Sequence, residues 1–145
     1  MSNYIVTGGA GFIGSHLVEH LVSNNAKVVV LDKFTYASHQ TPDILNNKNV
    51  LTVRVDIAAR ADLYASAEVV QDFFSKSTFS IFHLAAESHV DRSIESGDAF
   101  VLSNVLGTQV MLDFARDFGA NRFLDRKSTR LHSSHVSESR MPSSA

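Results

Sequence analysis

Thr7-Gly8-Gly9-Ala10-Gly11-Phe12-Ile13-Gly14 lies between an apolar run, Ile5-Val6, and a stretch of helical periodicity running from Phe12 to Leu21. Glycines spaced in this way serve a turn where the backbone must come close to something else, because no Cβ stands in between. Gly8, Gly11 and Gly14 are read as cofactor contacts. Gly9 and Gly11 leave no side chain between backbone and pyrophosphate, Gly14 lets the helix lie close to the strand, and the free N–H groups of the helix N-terminus face the phosphates. A second apolar run, Val28-Val29-Val30-Leu31, then ends in Asp32. Strand, glycine turn, helix, strand and terminal carboxylate together are a far stronger signal than a glycine triplet alone, and they predict a dinucleotide site. A carboxylate at Asp32 accepts hydrogen bonds from the adenosine ribose hydroxyls and repels an additional phosphate there, which favours NAD over NADP. Lys33 partly offsets that repulsion.

Working outward, strands are expected near Tyr4–Thr7, Lys27–Asp32, Val50–Asp56 and Ser80–Leu84, with a fifth beginning at Arg122-Phe123-Leu124. Helices are expected near Phe12–Ser23, Arg60–Ser75 and Ala99–Phe118. In the last, Val101, Val105, Leu112 and Ala115 recur at helical spacing, and Gly119 supplies a stop. Alternating strands and helices imply an α/β fold: a doubly wound, Rossmann-like parallel sheet covered on both faces, truncated after the start of its fifth strand.

The 145 residues suit one domain, and the apolar fraction of 44% suffices for a core. The net charge of −2, with no basic block before residue 125, points to no nucleic acid and no membrane surface as partner. There is no cysteine, which excludes disulfides and thiolate metal sites. No basic leader, long apolar segment or membrane-length run is seen, so a cytoplasmic location is expected. His16-Leu17-Val18-Glu19-His20 matches a zinc-peptidase pattern, but on this helix Leu17 and Leu21 would face the sheet and leave His16, Glu19 and His20 to solvent. Phe73, Phe74, Phe79 and Phe82 read as core and sheet packing, since no basic stripe accompanies them.

From Asp125 to Ala145 the composition changes. The segment holds seven serines, no glycine and a local charge of +2, against −4 for residues 1–124. One reading is a basic disordered tail. A sharper one starts from the genetic code: residues 125–135 match the translation of a widely used short-read sequencing adapter, D-R-K-S-T-R-L-N-S-S-H, except at His132, where one base change suffices. Ser139 to Ala145 match its continuation after a gap of about one index barcode. Residues 1–124 are therefore taken as a partial NAD-binding domain and 125–145 as a non-native, disordered tail.

A second informative segment, His83-Leu84-Ala85-Ala86-Glu87-Ser88-His89-Val90-Asp91-Arg92-Ser93, sits at the carboxyl end of the expected fourth strand, where open parallel sheets bind ligands. Ala85 and Ala86 are small enough for a cofactor to pass over the backbone. Ser88, His89, Asp91 and Arg92 add a hydroxyl, an imidazole, a carboxylate and a guanidinium. The plainer reading pairs Asp91 with Arg92 locally and makes Ser88 a helix cap.

Thr7–Gly14, with Asp56-Ile57 and the Leu84-Ala85-Ala86 turn, resembles the extended short-chain dehydrogenase/reductase superfamily. Two narrower strings, Asp32-Lys33-Phe34-Thr35-Tyr36-Ala37 and Ala85-Ala86-Glu87-Ser88-His89-Val90-Asp91-Arg92-Ser93, resemble the dTDP-glucose 4,6-dehydratase family, as does Asn104-Val105-Leu106-Gly107-Thr108. The resemblance covers residues 1–124, roughly the first third of a typical member.

This resemblance implies NAD as cofactor, a sugar nucleotide (dTDP-glucose) as substrate and a homodimer for the full-length protein. It places Phe12 and Ile13 on the pyrophosphate, Asp32, Lys33, Phe34 and Thr35 on the adenosine ribose, and Asp56 and Ile57 on the adenine edge. Leu84, Ala85, Ala86 and Ser88 would line the nicotinamide side, with Ser103 a further cofactor contact. Ser88 would also touch the sugar nucleotide, and Asp91 and Arg92 would shape its pocket. The implied reaction passes a hydride from sugar C4 to NAD, eliminates water across C5 and C6, and returns the hydride to C6. The acid and base it needs, a tyrosine with a lysine four residues on and a Thr-Asp-Glu group, are expected beyond Leu124. Tyr4, Tyr36 and Tyr64 lack that lysine, and Ser128-Thr129 is followed by Arg130. Two alternatives stay open: a UDP-sugar epimerase or decarboxylase of the same superfamily, and, for this chain itself, an inactive NAD-binding fragment with an open sheet edge.

Overall fold

The computed structural model describes residues 1–34, 42–85 and 102–125, with residues 102 and 103 described by their backbone alone. Five strands, β1 (Asn3–Thr7), β2 (Lys27–Asp32), β3 (Val50–Arg54), β4 (Ser80–His83) and β5 (Arg122–Asp125), form one parallel sheet in the order β3-β2-β1-β4-β5. The helices are α1 (Phe12–Ser23), α2 (Arg60–Ala65), α3 (Ala67–Phe73) and α4 (Gly107–Asp117). A 3₁₀ turn spans Asp43–Asn46, and a π-helical turn, Leu102–Leu106, leads into α4. This is the doubly wound, Rossmann-like arrangement expected.

The run Val28-Val29-Val30-Leu31 fills β2, and all four side chains are fully buried. A strand covered on both faces has no polar side to show, so it reads as a continuous apolar run. Alternate residues enter separate cores. Ile5, Val29 and Leu31 join Leu63, Val70, Phe74, Met111 and Phe114 on one face. Val6, Val28 and Val30 join Val18 and Leu21 of α1 on the other. Each such side chain taken from water contributes about 2 kcal/mol. Phe74 and Phe79 are buried, with Phe73 and Phe82 packed against the two cores, as expected.

Three elements differ from expectation. The helix over Arg60–Ser75 is two helices: the Ser66 hydroxyl donates to the Leu63 carbonyl at 2.6 Å and the Ser66 amide bonds the same carbonyl, so a serine competing for its own backbone breaks the run. The buried face of α4 is Gly107, Val110, Met111, Phe114 and Ala115, not the phase set by Val105 and Leu112. Val105 is 62% exposed, because the π-helical turn before α4 adds a residue to the turn and shifts the phase. Val101 lies outside the described residues. β3 ends at Arg54 and not at Asp56, whose carboxylate accepts the Ala58 amide at 2.9 Å and turns the chain away.

Gly119 does stop α4. It has φ +77°, and the Ala120 amide reaches back to the Ala115 carbonyl at 2.9 Å, closing the C-terminal turn. Arg60 pairs with Asp113 at 2.8 Å, and the Tyr64 hydroxyl donates to Asp117 at 2.6 Å, tying α2 to α4 across the covering layer.

Candidate functional site

The strand order places its reversal between β1 and β4, where an open α/β sheet forms its ligand crevice. The two strand ends nearly touch there. A Cβ on Gly8 would lie 3.0 Å from both Cα and N of Ala85, and Gly8 also has φ +71°, so glycine is required twice over. At Gly14 a Cβ would run into the Gly8 carbonyl oxygen and lie 2.8 Å from Gly9 Cα, which is how α1 comes down onto the turn. Gly9 serves packing: its missing Cβ points at Val30 of β2, 2.8 Å from Cγ1, and not at the pyrophosphate as the spacing suggested. Of the turn glycines only Gly11 would take a Cβ without a clash, its nearest neighbour being the Gly8 carbonyl at 3.4 Å.

The amides of the turn are largely engaged. Gly11 N–H donates to the Gly8 carbonyl at 3.1 Å, Ala10 N–H donates to Asp32 Oδ2 at 3.0 Å, and Gly8 N–H donates to the Leu31 carbonyl at 2.8 Å. The first amides of α1, at Phe12, Ile13 and Gly14, have no intrahelical acceptor, since the helix begins at Phe12 directly after the turn. Phe12 and Ile13 are 80% and 51% exposed there, large apolar side chains at a helix start. An anion seated on these amides beside Gly11 fits this turn.

Asp32 is buried, at 9% exposure, and does more than await a ribose. Its Oδ2 holds the glycine turn through Ala10, and its Oδ1 accepts the Phe34 amide at 2.7 Å, with Phe34 in the left-handed region at φ 58°. A carboxylate offers about four acceptor positions, so among the described residues each oxygen uses only one. Next to it, at the carboxyl ends of β2 and β3, a cleft of about 420 Å³ is lined by Lys33, Arg54, Asp56 and Asp62 among others. Arg54, whose guanidinium stands 5.4 Å from the Phe34 ring centroid, and Asp62 carried no motif to single them out. The Ile57 side chain, expected at the adenine edge, is buried in the core with Val55 and Leu63, so only its backbone is available to a ligand.

On the other side of the crevice stands a hydrogen-bonded chain that no sequence motif announced. Thr7, fully buried, receives the amides of Leu84 and Ala85 on Oγ1, both at 3.0 Å. The same oxygen lies 2.9 Å from His83 Nδ1, and His83 Nε2 lies 2.9 Å from Thr108 Oγ1, which in turn donates to the Asn104 carbonyl at 3.0 Å. Burial pushes the His83 imidazole down to about 4. The one available sign was a histidine ending the apolar strand Ser80-Ile81-Phe82-His83.

Leu84 and Ala85 lie at the carboxyl end of β4 beside Gly8, while Thr35, Ala86, Ser88, Asp91, Arg92 and the segment from residue 126 onward lie outside the described residues, and Ser103 is placed by its backbone in the π-helical turn. His16, Glu19 and His20 are exposed, and among the described residues no group of three or more such side chains could hold a metal ion. Among the same residues no helix is long and apolar enough to cross a membrane.

Comparison with known proteins agrees with this geometry. The chain is 45% identical over 125 residues to a "Probable dTDP-glucose 4,6-dehydratase" of Sinorhizobium fredii, covering 85% of this chain and 34% of that protein. Among solved structures, a dTDP-glucose 4,6-dehydratase of Streptomyces venezuelae with NAD bound superposes with a TM-score of 0.69 at 36% identity, over 84% of this chain and 38% of that one. The UDP-glucose 4-epimerase of Thermus thermophilus in complex with NAD gives 0.71 at 25% identity, over 91% and 43%. The chain spans about a third of the length of the curated relatives it matches, 34% and 39% for the first two. The profile of GDP-mannose 4,6 dehydratase matches residues 5–139, nearly the whole chain, and with the sheet order and glycine turn in place the chain belongs to that family.

Proposed function

We propose that this chain is the NAD-binding N-terminal part of a sugar-nucleotide 4,6-dehydratase acting on dTDP-glucose. The observation that carries the reading is the glycine turn at the sheet's switch point, with Gly11 open to a ligand and buried Asp32 bonded to Ala10 across the turn. Phe12 and Ile13 with the α1 amides hold the pyrophosphate, Asp32 to Thr35 the ribose, and the cleft by Asp56 the adenine. Leu84, Ala85, Ala86 and Ser88, with Ser103, flank the nicotinamide, and Ser88, Asp91 and Arg92 face the sugar nucleotide. When bound, NAD supplies a hydride acceptor at sugar C4 and a donor at C6. The acid and base groups belong to sequence that these 145 residues do not contain, so the isolated chain binds cofactor without turnover, and dimerisation belongs to the longer protein.

The dTDP-glucose assignment is supported by the name of the 45% identical relative, and the epimerase reading by the fold similarity at 25% identity. We propose in addition that native sequence ends at Leu124. The family match runs on to residue 139, so the genomic sequence beyond the Leu124 codon decides the matter. Recovery of Thr-Asp-Glu and then Tyr-x-x-x-Lys in that sequence is expected, and recovery of the 125–145 string would overturn the proposal. Titration of the chain with NAD and NADP tests the cofactor: saturable NAD binding, tighter than NADP, is expected, and absence of NAD binding refutes it. Assay of the extended protein with dTDP-glucose, UDP-glucose and GDP-mannose then separates the substrates.

A further inference from the structure

His83 closes β4 at 2% exposure, and its ring lies 5.6 Å from that of Phe123 on β5, where Asp125 is its register neighbour. Each of its nitrogens has one hydroxyl partner, and the partners decide where the protons are. A hydroxyl accepts two hydrogen bonds and donates one. Thr7 Oγ1 accepts the Ala85 amide and the Leu84 amide, the latter shared with the Thr7 carbonyl at 3.2 Å, so its own proton points at His83 Nδ1. An accepting Nδ1 in a neutral imidazole places the ring proton on Nε2. Nε2–H then donates to Thr108 Oγ1, whose proton goes to the Asn104 carbonyl. Every donor in the chain has an acceptor, and all bonds run in one sense. An imidazolium would direct a third donor at Thr7 Oγ1 and leave the Thr7 proton with no acceptor among the described residues, so the geometry disfavours it.

We propose that His83 is a positioning residue of the cofactor site: held as the neutral Nε2–H tautomer, it couples Thr7, at the lip of the glycine turn, and the Leu84–Ala85 strand end to the Asn104–Thr108 segment opening α4. What it positions is the narrowest part of the crevice, where Ala85 Cα lies 3.0 Å from the place a Cβ on Gly8 would occupy. Leu84 and Ala85 have their amides turned inward onto Thr7, so the backbone that flanks the nicotinamide is set by a hydroxyl whose own direction is set by His83. The proposal rests on the NAD reading given above.

Two measurements test it. Long-range proton–nitrogen correlation of the imidazoles in the labelled 145-residue chain, from about pH 8 to about pH 5, should show His83 Nδ1 unprotonated and Nε2 protonated throughout. A proton on Nδ1, or a titration near the ordinary histidine value, overturns the assignment. NAD affinity at about pH 8 provides the second readout. His83→Leu, which leaves the Thr7 proton unpaired, should weaken binding about tenfold, whereas His83→Asn, whose Oδ1 takes the place of Nδ1, should stay within about threefold of the unmodified chain. A His83→Leu affinity equal to that of the unmodified chain, or His83→Asn as weak as His83→Leu, overturns the positioning role. If His83→Leu does not fold, Thr108→Val cuts only the Nε2 end and should weaken NAD about threefold, with no change counting against the proposal. An unmodified chain that binds no NAD removes the cofactor reading and the positioning role with it, while the tautomer result still reports on the hydrogen-bonded chain.

Discussion

Lowering the pH from 7 to 5 is expected to remove about 2 kcal/mol of folding stability through His83 alone. Its pKa in the fold is about 4, against 6.5 for the free side chain, and burial is the cause. At 2% exposure, solvent screening gives no reason to discount this shift. Because the folded-state value lies below the unfolded one, the unfolded chain takes up a proton first as the pH falls. The stability His83 contributes as a neutral ring is fully present above about pH 6.5 and is lost between there and about pH 4. A displacement of about 2.5 units corresponds to about 3 kcal/mol in all, of which about 2 is gone by pH 5. Against a typical domain stability of about 5–15 kcal/mol, that is large.

The assay is urea unfolding of the chain and of His83→Asn at both pH values, read at constant slope. Carboxylates distant from position 83 cancel in the comparison, and repeating it in an Asp125→Asn background removes the contribution of the register neighbour. His83→Asn should be the less stable at pH 7 yet lose about 2 kcal/mol less on acidification. Equal losses would show that His83 is not the titrating group and would sink the tautomer argument with it.

Three further outcomes separate ligand contact from packing. Gly11→Ala should leave urea stability within about 0.5 kcal/mol while weakening NAD, because the added Cβ meets only the Gly8 carbonyl at 3.4 Å; unchanged NAD affinity would mean the pyrophosphate lies elsewhere. Gly14→Ala should cost about 3 kcal/mol or abolish folding, since the Cβ lands on backbone that cannot yield, and circular dichroism melting reads it directly. Asp32→Asn should lose about 1–3 kcal/mol of stability along with NAD affinity, since an amide keeps one of the two N–H bonds to Ala10 and Phe34 and opposes the other; full stability would show that the carboxylate serves the ribose alone.

What could be read from the residues was whatever local chemistry dictates. The run Val28 to Leu31 has one comfortable place, the middle of a doubly covered sheet, and Gly14 has one reason to lack a Cβ. The phase of α4 is not legible in the sequence because helical periodicity assumes a constant turn, and the π-helical turn at Leu102–Leu106 breaks that assumption with no proline or glycine inside it. Ser66 likewise ends α2 through a hydroxyl bond to the Leu63 carbonyl, a choice between helix and local turn that pattern alone does not settle. A glycine such as Gly9 has two uses in such a loop, clearing a path to the pyrophosphate or admitting a neighbouring side chain, and only the position of Val30 distinguishes them.

The harder case is the polar pair Thr7 and His83, which are 76 positions apart and carry no joint spacing signal. Each taken singly is an unremarkable end to an apolar strand. Their significance follows from the parallel pairing of β1 with β4, which sets Thr7 opposite His83. Once that register holds, a buried hydroxyl beside two strand-end amides needs an acceptor for its proton, and a buried imidazole needs a donor for one nitrogen and an acceptor for the other. Thr7 and Thr108 meet those needs from opposite sides. The cradle is therefore closed by residues lying between Asn3 and Thr108, while Leu124 stays 51% exposed on β5, which among the described residues pairs with β4 alone. A strand edge left open in this way is a pairing site for further chain. Cofactor geometry and edge closure are separable in this fold: the Thr7–His83–Thr108 chain does not depend on what lies beside β5, so NAD affinity should survive changes at that edge that destroy turnover in a longer protein.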